Sequence, residues 1–133
     1  RTSDILVVAL PAKESTKNFL DACLLRKVKQ DAIILNCGRG GTVDESAVAN
    51  LIEIGQIAGA GFDVFEEEPI ASDHPLLKLV YKHPNRVLLT AHISGQTIDS
   101  KRRNFSIALD NVERVAQGEQ PLYQLAPPNC TKL

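Results

Sequence analysis

The stretch Ala32-Ile33-Ile34-Leu35-Asn36-Cys37-Gly38-Arg39-Gly40-Gly41 passes from an unbroken apolar run into three glycines around one arginine. Ile33, Ile34 and Leu35 read as a buried strand. The glycines end it by allowing the backbone to turn tightly. Arg39 then stands at the strand's carboxyl end, the edge where ligands bind in open α/β sheets. A planar guanidinium there grips a carboxylate or phosphate through two parallel hydrogen bonds. Taken alone, a surface arginine in a glycine-rich turn is the plainer reading, so the flanking sequence has to decide.

Upstream, Ile5–Leu10 is a continuous apolar run closed by Pro11, which predicts a strand covered on both faces. A helical stretch is expected from Ser15 to Lys29, with Phe19, Leu20, Cys23, Leu24 and Val28 on one face and Asp21 placed to cap a second piece inside it. Arg26, Lys27 and Lys29 suit a solvated helix end. Downstream, Asp44 is an N-cap with Glu45 in the first turn, and Val43 can staple onto Val48. That helix runs to about Ile54, and Gly55 is its left-handed C-cap.

The next strand is Ile57–Phe65. Its Gly59-Ala60-Gly61 is not the Gly-x-Gly-x-x-Gly fingerprint, since the third glycine is missing and the glycines lie within the strand. Glu66-Glu67-Glu68-Pro69 and an irregular segment with Pro75 and Pro84 follow, with one turn of helix at Leu76–Leu79. Arg86–Thr90 is a fourth strand. Thr97 caps a long helix whose apolar stripe is Ile98, Phe105, Ala108, Leu109, Val112 and Val115, and Gly118 stops it. The tail, Glu119–Leu133, contains three prolines and reads as extended and peripheral.

Strands alternating with helices predict a parallel sheet with right-handed crossovers. Four strands, about two helical crossovers and a long closing helix make an α/β unit, the second half of a doubly wound, Rossmann-like sheet. The expected organisation is residues 1–96 as the half-domain, 97–118 as the long helix and 119–133 as the returning tail.

Composition narrows the function classes. With 133 residues, 44% apolar and 23% charged, the chain is ordinary for a globular domain, and a net charge of −1 leaves no basic stripe for nucleic acid. No apolar run approaches the ~20 residues of a membrane span, and no signal peptide is read. Cys23, Cys37 and Cys130 are odd in number and lack Cys-x-x-Cys spacing, which fits reduced thiols and a cytoplasmic location. His74, His83 and His92 form no metal-ligand spacing, so no metal is expected.

Four polar groups fall at successive strand ends: Arg39, Asp63, Glu68 and His92. Singly, Asp63 can be a turn cap, Glu68 part of a solvated acidic trio and His92 a hydrogen-bonded loop histidine. Together an arginine, a carboxylate and a histidine suggest a site in which Arg39 holds an anion and His92 moves a proton. A carboxylate beside the imidazole orients it and favours its charged form.

Three blocks carry a resemblance: Asn36–Asp44, Gly59–Pro69 and Thr90–Gly95. In order and spacing they resemble the D-isomer-specific 2-hydroxyacid dehydrogenases, from about Ser3 to about Leu122. The resemblance implies that Arg39 binds the substrate carboxylate, that His92 is the general acid/base and that Glu68 is its partner. It implies that Asp63 contacts the nicotinamide carboxamide, and that Leu10, Pro11, Cys37, Gly38 and Gly95 line the cofactor, NAD or NADP, together with Arg39, Asp63 and His92. The implied substrate is a small 2-keto or D-2-hydroxy acid, and the intact enzyme is expected to be a homodimer. His74-Pro75-Leu76-Leu77 through Asn85-Arg86-Val87 leans towards glycerate dehydrogenase/hydroxypyruvate reductase members, with phosphoglycerate dehydrogenase a close rival. Ala91 stands where the family usually has proline.

The chain opens directly on a strand, as if cut from something longer. On the resemblance, the pyrophosphate-binding turn and the acidic residue that reads the ribose lie upstream of Ser3. The chain by itself is therefore expected to be inactive, and its first strand to expose an edge that favours association. The rival reading is a non-catalytic, dinucleotide-sensing corepressor-like binding protein on the same fold.

Overall fold

A computed structural model describes residues 2–124, and its contacts divide the chain into two compact units, Arg1–Ser94 and Gly95–Leu133. In the first unit the order is β1 (Ile5–Val8), α1 (Ala22–Leu25), β2 (Ile33–Asn36), α2 (Glu45–Glu53), β3 (Gly59–Phe62), α3 (Pro75–Lys82) and β4 (Val87–Leu89). The strands form one sheet in the order β1-β2-β3-β4, every pair parallel. Three crossovers connect them, one more than the sequence suggested.

Right-handed crossovers that all step in one direction place their helices on one face. The register shows the consequence. Val8, Asn36 and Phe62 lie side by side, as do Ile34, Ala60 and Val87, and all six are buried. The five apolar ones pack with Leu25 of α1, Val48, Leu51 and Ile52 of α2, and Leu76 and Leu79 of α3 in one core. The alternate residues form the other face. Ile5, Val7 and Leu88 are 55%, 56% and 68% exposed. The expectation that the first strand is covered on both faces is therefore corrected. An unbroken apolar run shows that both faces are apolar, and the described residues cover only one of them.

The stretch read as a helix over Ser15–Lys29 is also corrected. It forms a 3-10 turn at Glu14–Thr16 and the short α1. Asn18 adopts a left-handed φ of 47° between them. Leu20 then makes an isolated parallel bridge to Val43, with Asn18 N–H donating to Gly41 O and Leu20 N–H to Thr42 O. This pairing beyond the glycine turn overrides the helical periodicity. Asp21 does cap α1, accepting from Leu24 N–H at 2.8 Å. Asp44 caps α2 from Ala47 N–H at 2.8 Å, and Gly55 follows with φ 75°.

α3 runs for eight residues where one turn was expected. Pro75 opens it instead of breaking it, because the first helical position needs no N–H. His74 is its N-cap and accepts from Leu76 N–H.

The second unit holds α4, Ile98–Ala116, capped by Thr97 through Ser100 N–H. Gly118 ends it at φ 77°. The apolar stripe is present and exposed on Ile98, Phe105, Leu109, Val112 and Val115. The start of the tail turns back on the helix, where Asn111 holds both the N–H and the carbonyl of Leu122. Most of the expected extended tail, residues 125–133, lies outside the described residues.

Candidate active site

The site is built at the carboxyl edge of the sheet, from the turns that leave all four strands. After β2, buried Asn36 accepts from Gly38 N–H at 3.2 Å and donates to Arg39 O. Thr42, also buried, donates its hydroxyl to the same carbonyl at 2.6 Å. Two buried side chains thus hold the Arg39 backbone from below. The guanidinium is exposed and bonds Gly38 O at 2.7 Å. Gly38 presses on the end of β1, where a Cβ would stand 2.7 Å from Leu10 N and O. Leu10 is thereby brought against Cys37-Gly38. Cys37 and Pro11 are exposed beside them.

After β3, Asp63 is buried and acts on the loop that follows β4. Its carboxylate accepts from the Thr90 hydroxyl at 2.6 Å, Ile93 N–H at 3.0 Å and Ser94 N–H at 3.0 Å. Its backbone carbonyl accepts from His92 N–H at 2.8 Å. His92 itself has a φ of 53°. Asp63 therefore fixes the conformation of the histidine loop, and the turn-cap reading of this residue describes its contacts. Burial works against its charge, but the bonds from Ser94, Thr90 and Ile93 prevail and hold its carboxyl well below the usual range.

Glu68 and His92 meet across this edge. His92 Nδ1 lies 2.9 Å from Glu68 Oε2, while Glu68 Oε1 accepts from Phe65 N–H at 2.9 Å. The imidazole contact, then the Phe65 N–H, hold Glu68 below the usual carboxylate range. Both side chains are part-exposed. An apolar cavity of about 380 Å³ adjoins the pair, lined by Phe65, Ile70, Leu77 and Leu89 among others. Arg39 stands on the neighbouring turn, and Gly95 belongs to the second unit.

The matched family model is the D-isomer specific 2-hydroxyacid dehydrogenase, NAD binding domain, and it covers residues 1–94. The chain belongs to this family. It is 40% identical over 117 residues to a probable 2-ketogluconate reductase of Dictyostelium discoideum, covering 88% of this chain and 34% of that protein. It is 37% identical over 119 residues to a glyoxylate reductase of Thermofilum pendens, covering 90% and 34%. Among solved structures, the NADPH-dependent glyoxylate/hydroxypyruvate reductase of Sinorhizobium meliloti in complex with NADP and malonate aligns with a TM-score of 0.73 at 31% identity, covering 92% of this chain and 37% of that one. The chain thus spans about a third of the length of the curated relatives it matches. The family-level resemblance and the Rossmann-like half-sheet read from the sequence both stand.

Sequence reasoning assigned no role to Asn36, Thr42, Thr90 or Ser94. A polar residue ending an apolar strand was the available signal for Asn36. Thr90 and Ser94 carried none, because their roles depend on Asp63, some thirty residues away. Among the described residues no group of three or more histidine, cysteine and acidic side chains can hold a metal ion. No described helix is long and apolar enough to cross a membrane.

Loss of the Asp63 carboxylate has a calculable effect. Asp63→Ala strands three loop donors and should cost about 2–3 kcal/mol of stability. A depressed carboxylate stabilises the fold above its ordinary value of 3.8 and loses that contribution as pH falls through its lower folded value. The Asp63 contribution to the denaturant midpoint should therefore hold down to that ordinary value and decline below it. In Asp63→Asn the acid-side decline should be shallower.

Proposed function

We propose that the chain supplies the catalytic half-site of an NAD(P)-dependent D-2-hydroxyacid dehydrogenase, reducing a small 2-keto acid such as glyoxylate or hydroxypyruvate. The observation that carries this is the His92–Glu68 pair at 2.9 Å, on a loop held by Asp63. Glu68 engages Nδ1 and leaves Nε2 for the substrate oxygen. His92, as imidazolium, gives its proton to the carbonyl oxygen at C2, and in the reverse direction takes it back. Glu68 orients the ring through Nδ1. Arg39 turns outward from Gly38 O to hold the substrate carboxylate and the developing oxyanion.

The reduced nicotinamide supplies the hydride to C2 when bound. The residues present fit that end of the dinucleotide. Leu10, Pro11, Cys37 and Gly38 converge at the sheet edge that also carries Asp63 and His92. Gly59-Ala60-Gly61 lies inside β3 and opens no helix, so it is no pyrophosphate turn. In this reading residues 1–96 belong to the nucleotide domain, 97–118 form the connecting helix and 119–133 return to the substrate domain of a homodimeric enzyme.

The test is a panel of glyoxylate, hydroxypyruvate and 2-ketogluconate with NADH and NADPH, using the full-length protein that carries this chain. Keto-acid-dependent oxidation of one cofactor is expected. Cofactor binding without turnover on any acid would overturn the enzymatic reading.

A further inference from the structure

Glu45 and His74 form a second carboxylate–imidazole pair, which the reaction does not use. Glu45 lies in the first turn of α2, immediately beyond the Arg39 turn, and is only 7% exposed. Its Oε2 is 2.9 Å from His74 Nε2. His74 Nδ1 accepts from Leu76 N–H, so Nε2 carries the ring proton and donates to the carboxylate. The other oxygen, Oε1, accepts from Glu66 N–H at 2.8 Å. The Phe65 ring packs edge-on against His74, with centroids 6.2 Å apart.

Glu66 lies next to Phe65, whose own N–H bonds Glu68 Oε1. One buried carboxylate thus ties together α2, the cap of α3 and the backbone that presents Glu68. A first-turn glutamate needs only the helix dipole to explain it. That reason accounts for neither its burial nor its reach to a loop twenty-one residues away. Burial pushes the Glu45 carboxyl up, against the Glu66 N–H and His74, which favour its charge. A group held at that cost, with both oxygens satisfied, orders what it touches.

We propose that Glu45, seated by His74, is a positioning residue for the catalytic pair: it holds the 65–68 backbone so that Glu68 reaches His92 Nδ1. The inference rests on the proposed roles of Glu68 and His92. Glu45 touches neither residue and acts through the Glu66 N–H and the adjoining Phe65 N–H.

The test is a side-chain carboxyl carbon titration by NMR on the whole chain, reading Glu68 in the unaltered protein, in Glu45→Ala and in Glu45→Gln. The Glu68 midpoint should lie below that of an ordinary glutamate in the unaltered chain and move up to it in Glu45→Ala. In Glu45→Gln the amide oxygen still accepts from Glu66 N–H, and the amide NH2 donates to His74 Nε2 once the ring takes its other tautomer, at the loss only of the long 3.3 Å cap bond from Leu76 N–H, so the midpoint should stay low. General destabilisation would not produce that rescue. A midpoint that stays low in a folded Glu45→Ala overturns the positioning role and leaves the Glu68–His92 pair standing. An ordinary midpoint in the unaltered chain, unmoved by His92→Gln, removes the pair and the proposal with it. If Glu45→Ala does not fold, amide exchange in the unaltered chain decides. Glu66 N–H should exchange more slowly than Glu67 N–H, and equal rates overturn the proposal.

Discussion

His92→Gln, made in the full-length protein, is expected to lower turnover by about a hundred- to ten-thousand-fold while leaving cofactor affinity close to its starting value. The argument is geometric. Glutamine matches the length of the imidazole and can still donate a hydrogen bond to Glu68. It cannot hold a proton near neutral pH and release it to an oxygen. The loop keeps its shape, because the donors that anchor it are main-chain N–H groups and the Thr90 hydroxyl. His92 N–H donates to Asp63 O, and Ile93 and Ser94 N–H to the Asp63 carboxylate. None of these needs the imidazole. Steady-state kinetics with a saturating keto acid, beside cofactor titration by fluorescence, separates the two quantities. Unchanged turnover would remove His92 from the chemistry. A parallel loss of cofactor binding would mean that the side chain shapes the loop.

Gly40→Ala carries the largest expected loss of stability. A Cβ at Gly40 would stand 1.7 Å from Phe65 O and 2.1 Å from its carbonyl carbon. Both obstacles are main chain, so no rotamer change relieves them. The turn bearing Arg39 and the loop bearing Glu68 must separate, at a cost of about 3 kcal/mol or more. Gly55→Ala is the control. Gly55 is left-handed at 75° with nothing within 4 Å of an added Cβ, so the only cost is the backbone strain an alanine brings, about 1 kcal/mol. Urea unfolding of the two variants should differ by about 2 kcal/mol, the difference between these costs. Equal losses would show that the two turns are less tightly joined than this geometry requires. Because Gly40 also sets the spacing of Arg39 from Glu68, any residual folded protein should bind substrate more weakly.

What the sequence disclosed was chiefly local chemistry. Asp21, Asp44 and Thr97 are caps because a short oxygen-bearing side chain can reach an N–H three residues on. Gly55 and Gly118 end helices because glycine tolerates positive φ. The strands were visible as apolar runs. The failures involved partners distant in the chain. The helix expected over Ser15–Lys29 gave way at Leu20, whose bridge partner Val43 lies beyond the next strand. Glu45 reads as a dipole-favouring acid until Glu66 and His74 are placed beside it. Of the site, Arg39, Asp63, Glu68 and His92 were legible as polar residues at strand ends; an anion-holding Arg39 and a proton-moving His92 followed from side-chain chemistry, and the cofactor and substrate they serve came from the family resemblance. The structure adds that Asp63 spends its hydrogen-bonding capacity on the histidine loop, a fact that no spacing of residues encodes.

The backbone of His92 shows a compromise between durability and chemistry. At φ 53°, glycine or asparagine would sit with less strain, and a histidine there costs on the order of 1 kcal/mol. A chain selected for persistence alone would discard the imidazole. Variants chosen by heating or by resistance to proteolysis should therefore drift towards Gly or Asn at position 92 and lose reactivity as they gain robustness. Engineers seeking a hardier protein would do best to exempt this position, together with Asp63, from their searches.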